Sequence, residues 1–251
     1  MIKVIIVGAN GKMGKKVRES LPAFPELKAV CGIDLKEDFS DKDFPVYSDL
    51  NKVNENADVL IDFSSAKNAK AVCDYAEKTG IKCVLCATGY GKEENDAVAL
   101  LSRKTAVFRS ANMSLGVNVL IELVKNAAKA LTGFDIEIIE KHHNEKKDAP
   151  SGTALMIADK IKETAPEKYC VFGRNGNVGA RNKDEIGIHA VRGGSIVGEH
   201  QVIFAGEQET LTLTHEATDR KIFAAGAIKA AEYIYGKKIG LFDMSDLING
   251  R

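Results

Sequence analysis

The chain opens with Ile2–Val7 (IKVIIV), a near-continuous apolar run broken by one lysine. That is the pattern of a parallel strand buried on both faces. A glycine-rich turn follows at once, and a helical pattern from Lys12 to Leu21 stops before Pro22. Leu27 to Ile33 predicts a second strand, ending at Asp34. The alternation continues with strands at Val59–Phe63, Lys82–Cys86 and Ala106–Arg109, separated by helices that run through Glu77 and near Glu93–Ser102. Strands alternating with helices predict an α/β fold with a Rossmann-type doubly wound parallel sheet. A long helix is expected over Val117–Leu131, with Leu120, Leu123, Val124 and Ala127 on its apolar face and Gly133 at its end. The character then changes. Gly173–Asp184 reads as a long mobile loop, and three strand patterns follow without helices between them: Gly187–Val191, Ser195–Phe204 and Glu209–Glu216. They predict a second, α+β domain with a mixed or antiparallel sheet, one face of it solvated or covered by a partner. From Lys221 the small-residue pattern FAAGAIKAAEYIYG returns to the style of the first half and ends near Gly236. Two domains are therefore expected, 1–113 with 219–251, and 114–218, with hinges near Met113 and Thr218.

Candidate chemistry sits where strands end. Residues 8–14, 64–66, 87–89 and 110–114 are small, polar turns at the carboxyl ends of predicted strands, where doubly wound sheets bind ligands. The first turn, Gly8 to Gly14, reads GxxGxxG rather than GxGxxG, with Asn10 in place of the second glycine. A glycine pattern alone is weak. Here the strand before it, the helix after it and Asp34 at the end of the next strand agree on a dinucleotide site, with turn amides on a pyrophosphate and Asp34 on a ribose. The alternative is a tight turn with no ligand.

One stretch concentrates the rest: Glu140 to Ala154, EKHHNEKKDAPSGTA. An apolar strand pattern (Phe134, Ile136, Ile138, Ile139) leads in, and a helical one (Ala154, Ile157, Ala158, Ile161) leads out. Ser151 is a good N-cap, and the Gly152 and Thr153 amides begin the helix. A helix start close to His142, His143, Lys146 and Lys147 suits a small polyanion, a carboxylate above all. The bland alternative is a solvated charged loop.

Composition narrows the picture. Lys+Arg and Asp+Glu are both 35, so there is no net charge to draw the chain to nucleic acid or a membrane surface. No apolar run reaches the roughly 18–20 residues that span a bilayer, and the start shows no signal-peptide pattern, so a cytoplasmic protein is expected. The five cysteines, Cys31, Cys73, Cys83, Cys86 and Cys170, are scattered and odd in number, which is no disulfide framework. Cys83 and Cys86 form a CxxC inside a predicted strand, where residues three apart point to opposite faces. The five histidines show no metal-ligand spacing, so no metal is expected.

At this point the motifs resemble one family. VGANGKMG at 7–14, IDFSSA at 61–66, SANMSLGVN at 110–118, the stretch at 140–154, GIHAVRGGSIVGEH at 187–200 and FAAGAI at 223–228 together look like dihydrodipicolinate reductases over essentially the whole length. The resemblance implies NAD(P)H-dependent reduction of a cyclic dicarboxylate in lysine and diaminopimelate biosynthesis. It implies that 1–113 with 219–251 binds the dinucleotide, and that 114–218 binds substrate and builds a homotetramer through its sheet. By the same likeness, His142 and Lys146 match the catalytic pair. His143, Gly152 and Thr153 match substrate contacts. Gly8, Ala9, Asn10, Gly11, Lys12, Met13, Asp34, Cys86, Ala87, Thr88, Ser110, Ala111, Asn112, Met113 and Arg220 match cofactor contacts. Hydride addition to a conjugated imine builds charge that must be stabilised and protonated. An ordinary lysine titrates near 10.4 and a histidine near 6.5, so Lys146 is the expected acid. His142 would polarise or position the substrate, or relay a proton; the sequence does not rank these.

The chain departs from the family pattern at Cys86-Ala87, at Met113, at Ser65 and at Leu35. Leu35 stands where many members have an Arg that would meet a 2′-phosphate. With Asp34 repelling such a phosphate, the expectation is NADH preferred over NADPH, while Lys12, Lys15 and Lys36 leave NADPH usable. Two rivals remain: a Rossmann-type reductase of another small carboxylate, and a nucleotide-sensing protein that kept the fold. The Asp148-Ala-Pro-Ser-Gly-Thr sequence argues against the first, and intact His142 and Lys146 against the second.

Overall fold

The structure is a computed structural model and describes residues 1–250; Arg251, the last residue of the expected nucleotide domain, lies outside the described residues. In chain order the elements are β1 (Ile2–Val7), α1 (Lys12–Ser20), β2 (Leu27–Ile33), β3 (Val46–Tyr47), β4 (Val59–Asp62), α2 (Ala69–Thr79), β5 (Lys82–Leu85), α3 (Lys92–Leu101) and β6 (Ala106–Arg109). Then come α4 (Leu115–Ala130), β7 (Asp135–His142), α5 (Gly152–Lys162), β8 (Tyr169–Phe172), β9 (Glu185–Arg192), β10 (Gly198–Ala205) and β11 (Thr210–Ala217). The chain closes with α6 (Lys221–Tyr235), β12 (Gly240–Phe242) and α7 (Met244–Asn249). It divides into two compact units, 1–115 with 220–251, and 116–219.

The first unit is a seven-stranded parallel sheet in the order β3-β2-β1-β4-β5-β6-β12. The order reverses between β1 and β4, so a crevice opens at the carboxyl ends of those strands. Alternate residues of β1 serve opposite faces. Val4 and Ile6 pack with Val17 of α1 and Ala227, Ile228 and Ala231 of α6. Ile5 and Val7 pack with Val72 of α2 and Leu101 of α3. Two covered faces are what its near-continuous apolar run predicts. Cys83 and Cys86 fall on opposite faces, as strand alternation requires, and burial raises both thiols well above their ordinary pKa.

The second unit is a mixed five-stranded sheet, β11-β10-β7-β9-β8, in which β7, β9 and β8 are parallel and β10 runs against β7 and β11. Its inner face (Ile136, Ile138, Ile186, Ile188, Val202, Phe204) packs on α4 and α5. The face of α4 differs from expectation: Ile121 is buried and Leu123 is 50% exposed. Val117, Leu120, Ile121 and Val124 form the i, i+3, i+4, i+7 stripe, and Leu123 falls outside it. The expected mobile loop at 173–184 is also corrected. Arg174 pairs with Glu137 (3.0 Å) and Glu185 (2.9 Å), and Arg181 with Asp135 (2.6 Å) and Glu137 (3.1 Å), so the loop is tied to the outer face of the sheet.

Candidate active site

In the first unit, ten of the expected nucleotide residues (Gly8, Gly11, Met13, Asp34, Cys86, Ala87, Thr88, Ala111, Asn112 and Met113) line clefts at the strand ends, and Ala9, Asn10 and Lys12 do not. Gly8 has φ +80°, a conformation open to glycine, and a Cβ on Gly14 would overlap the Gly8 carbonyl oxygen. Gly8 and Ala9 amides donate to the Ile33 carbonyl, and Gly11 donates to Gly8. The amides up to Gly11 are thus satisfied within the protein, Asn10 by Asp34. Helix α1 begins at Lys12 without a side-chain cap. The amides of its first turn, Lys12 and Met13 included, have no acceptor within the helix, which suits an anion.

Asp34 ties the two strand ends together. Its Oδ2 accepts from the Asn10 amide (2.8 Å) and its Oδ1 from the Leu35 amide (2.8 Å). Each oxygen keeps capacity for a further donor such as a ribose hydroxyl. Gly8, Gly11 and Asp34 line a cleft of about 520 Å³ that continues past Leu50, Ser64 and Val72. A second cleft, about 340 Å³, is lined by Met13, Cys86, Ala87, Thr88 and the 111–113 segment, together with Phe63 and Phe223. Gly226 of α6 holds that segment close, since a Cβ there would overlap the Met113 carbonyl oxygen. Ser110 turns inward, its hydroxyl donating to the Asn112 carbonyl (2.8 Å), and Arg220 precedes α6; neither lines these clefts.

In the second unit, β7 ends at His142, a turn carries His143, Lys146 and Asp148, and α5 starts after Ser151. Ser151 is the N-cap, accepting from the Ala154 amide (3.1 Å). Its hydroxyl also meets His200 Nε2 at 2.8 Å. Helix α5 buries Ala154, Ile157, Ala158 and Ile161, one face at helical spacing, so its start is held by both cap and core.

Beneath the turn lies Glu140, fully buried. Ile136, Ile138 and Glu140 alternate along β7, so the carboxylate points where an apolar residue would be expected. Arg192 at the end of β9 meets it with both terminal nitrogens, at 2.7 Å and 2.6 Å. The Ser151 amide donates to Oε1 (3.0 Å), and His142 Nδ1 lies 2.6 Å from Oε2. Arg192 also donates to the Asp148 carbonyl (2.7 Å). Burial by itself would push the Glu140 carboxyl up, but these hydrogen bonds outweigh it and hold it below the ordinary range. His142 is lowered, burial being the largest cause, and His200 is pushed down to about 4 by burial and by His142 beside it. Lys146 pairs with the exposed Asp148 carboxylate at 2.8 Å.

The sequence reading missed Glu140, Arg192, His200 and the Lys146–Asp148 pair. Glu140 carried a usable signal, an acid at a buried-phase strand position. Arg192 and His200 carried none, because their place depends on strands that pair across 50 residues or more.

Two family models divide the chain: the N-terminal dihydrodipicolinate reductase model matches residues 2–113 and the C-terminal one residues 116–248. The chain belongs to the dihydrodipicolinate reductase family. It is 55% identical over 249 residues to the 4-hydroxy-tetrahydrodipicolinate reductase of Caldanaerobacter subterraneus subsp. tengcongensis, covering 99% of this chain and 98% of that one. The Clostridium tetani reductase is 45% identical over 251 residues, with 99% and 98% covered. Among solved structures, dipicolinate-bound dihydrodipicolinate reductase from Paenisporosarcina sp. TG-14 aligns with a TM-score of 0.82 and 26% identity over 97% of each chain. A myo-inositol dehydrogenase from Corynebacterium glutamicum shares the fold at a TM-score of 0.63 and 14% identity, over 95% of this chain and 90% of that one.

Proposed function

We infer that this member of the family is an NAD(P)H-dependent reductase of 4-hydroxy-tetrahydrodipicolinate, acting in lysine and diaminopimelate biosynthesis. The observation that carries the reading is the strand–turn–helix of residues 140–154. It joins a buried Glu140–His142 pair, Lys146 and an N-capped helix start in a chain that is family throughout. Dipicolinate, bound by the Paenisporosarcina relative, is a compact dicarboxylate. A site of that chemistry needs cations and amide donors, and this stretch supplies both.

A dinucleotide fits the first unit. The uncapped start of α1 would take the pyrophosphate, Asp34 the adenosine ribose, and the cleft of Met13, Thr88 and Met113 the nicotinamide end. When bound, the reduced nicotinamide supplies a hydride. The chain's own residues do the rest. The helix start at Gly152 and Thr153, with His143, anchors a substrate carboxylate. The Lys146 ammonium, held in place by Asp148, stabilises the negative charge that develops on the ring and delivers the proton that completes the reduction. His142 stands beside it on the last residue of β7.

NADH is the preferred cofactor, with NADPH usable. Asp34 is already held by two amides and would meet a 2′-phosphate with its own negative charge, and Leu35 offers no compensating cation. Four copies assemble through the outer face of the five-stranded sheet, where Val191 is exposed.

The test is oxidation of NADH, and of NADPH in parallel, with substrate generated in situ from pyruvate and aspartate semialdehyde by the condensing synthase. Synthase-dependent oxidation, faster with NADH, is expected. Folded protein that binds NADH but oxidises neither cofactor would contradict the reading, and roughly tenfold higher kcat/KM with NADPH, about 1.4 kcal/mol of preference, would contradict the cofactor assignment.

A further inference from the structure

We propose that Glu140 is a positioning residue for this reduction: its buried carboxylate fixes the ring proton of His142 on Nδ1, and so presents Nε2 to the substrate as a hydrogen-bond acceptor. The proposal rests on the reading of residues 140–154 as the reductase site. Arg192 donates to both Glu140 oxygens and the Ser151 amide to one of them. These groups are donors only, and a guanidinium on both oxygens with an amide on one favours the charged carboxylate, whose pKa they hold below the ordinary range despite burial. An ionised carboxylate cannot donate. The contact of 2.6 Å to His142 Nδ1 therefore runs from nitrogen to oxygen, and in the neutral imidazole the remaining nitrogen, Nε2, carries the lone pair.

The groups around the ring decide whether Nε2 takes a second proton. Glu140 faces it from its own strand, Lys146 from the turn, Arg192 from β9 and His200 from β10, the two imidazoles edge to face at 5.2 Å. Burial acts most strongly and disfavours the imidazolium. Lys146 and Arg192 add to burial, while Glu140 opposes it, and the net direction is downward. Near neutral pH the ring is then an acceptor at Nε2. Gly198 keeps that edge uncrowded, since a Cβ there would stand 3.2 Å from Nε2.

This arrangement divides the labour that the sequence left open. His142 accepts a hydrogen bond from a substrate N–H or from the Lys146 ammonium, and it orients the group that Lys146 protonates. Arg192 extends the same control to the turn. By holding Glu140 and the Asp148 carbonyl together, it sets the path of the residue that partners Lys146. One carboxylate thus organises His142, the helix start at Ser151 and, through Arg192, the Lys146 turn.

The experiment combines imidazole nitrogen NMR with kinetics on the full chain. In the wild type near neutral pH, His142 Nε2 should be unprotonated and Nδ1 protonated. Glu140→Gln keeps the size and shape: its amide oxygen can accept from Arg192 Nη2 and Ser151, the bond from Arg192 Nη1 is given up, and its NH2 donates to Nδ1, which moves the ring proton to Nε2. The expected result is that inverted tautomer, with kcat falling roughly 10²-fold or more and the KM for NADH unchanged. A wild-type ring protonated on Nε2 overturns the proposal even if no Glu140 variant folds. A folded Glu140→Gln with the tautomer inverted and kcat retained overturns it as well, and shows Glu140 to be structural. If the wild type reduces nothing, the functional reading fails, while the wild-type spectrum still decides whether Glu140 sets the tautomer.

Discussion

His200 shows how a buried residue behind His142 and the α5 cap bears on the site. It is 4% exposed, it holds the hydroxyl of the α5 cap, and burial with His142 nearby pushes its imidazole down to about 4. An unfolded histidine titrates near 6.5, so between about 6.5 and about 4 the unfolded chain binds a proton that the folded chain refuses. The stability from a neutral His200 is complete above that window and is lost as pH falls through it, on the order of 3 kcal/mol in total. His142, lowered as well, adds in the same direction. Urea unfolding at about pH 7 and about pH 5 should therefore show a marked drop for the wild type and a smaller one for His200→Gln. Equal drops in the two proteins would mean that His200 titrates normally and the cap does not depend on its neutral form.

At the scale of elements, β7, the turn and α5 act as one device. Ser151 serves it three times: its hydroxyl caps Ala154 and meets His200, and its amide reaches Glu140. Ser151→Ala should lower stability by about 1 kcal/mol and raise the substrate KM while leaving the NADH KM in place. A shift in the NADH KM of equal size, read in the same steady-state assay, would contradict the separate role of this element. Much of the device was legible in the sequence, because Ile136, Ile138, Ala154, Ile157 and Ile161 mark strand and helix by period, and Ser151 announces the cap. The parallel sheet was legible for the same reason, since runs such as Ile2–Val7 are buried on both faces. What periodicity could not reach depends on partners distant in sequence. β3, β8 and β12 are two to four residues long and exist by pairing with β2, β9 and β6. Arg174 and Arg181 look like loop charges until Glu137 and Asp135 meet them across the sheet. Arg192 likewise becomes part of the site through strand register, with His142 opposite it in the β7–β9 pairing.

For the whole molecule, the charges cancel in sum and matter in place: 35 cationic and 35 acidic side chains leave no global field, and the selective electrostatics are local to Asp34 in one unit and to Glu140, Arg192 and Lys146 in the other. The first unit carries the clefts and the uncapped helix start that suit a dinucleotide. The second carries the Lys146–Asp148 pair, the Glu140-bound His142 and the capped helix start, to which the proposed function assigns the dicarboxylate. This separation is the central claim, and Lys146→Ala tests it most directly, by turnover with synthase-generated substrate and by NADH affinity from quenching of the reduced nicotinamide's fluorescence. The account predicts that kcat falls roughly 10²–10⁴-fold, the range of a lost general acid, while NADH Kd stays within about twofold of the wild type. Near-normal turnover, or a loss of turnover matched by an equal loss of NADH binding, would contradict it.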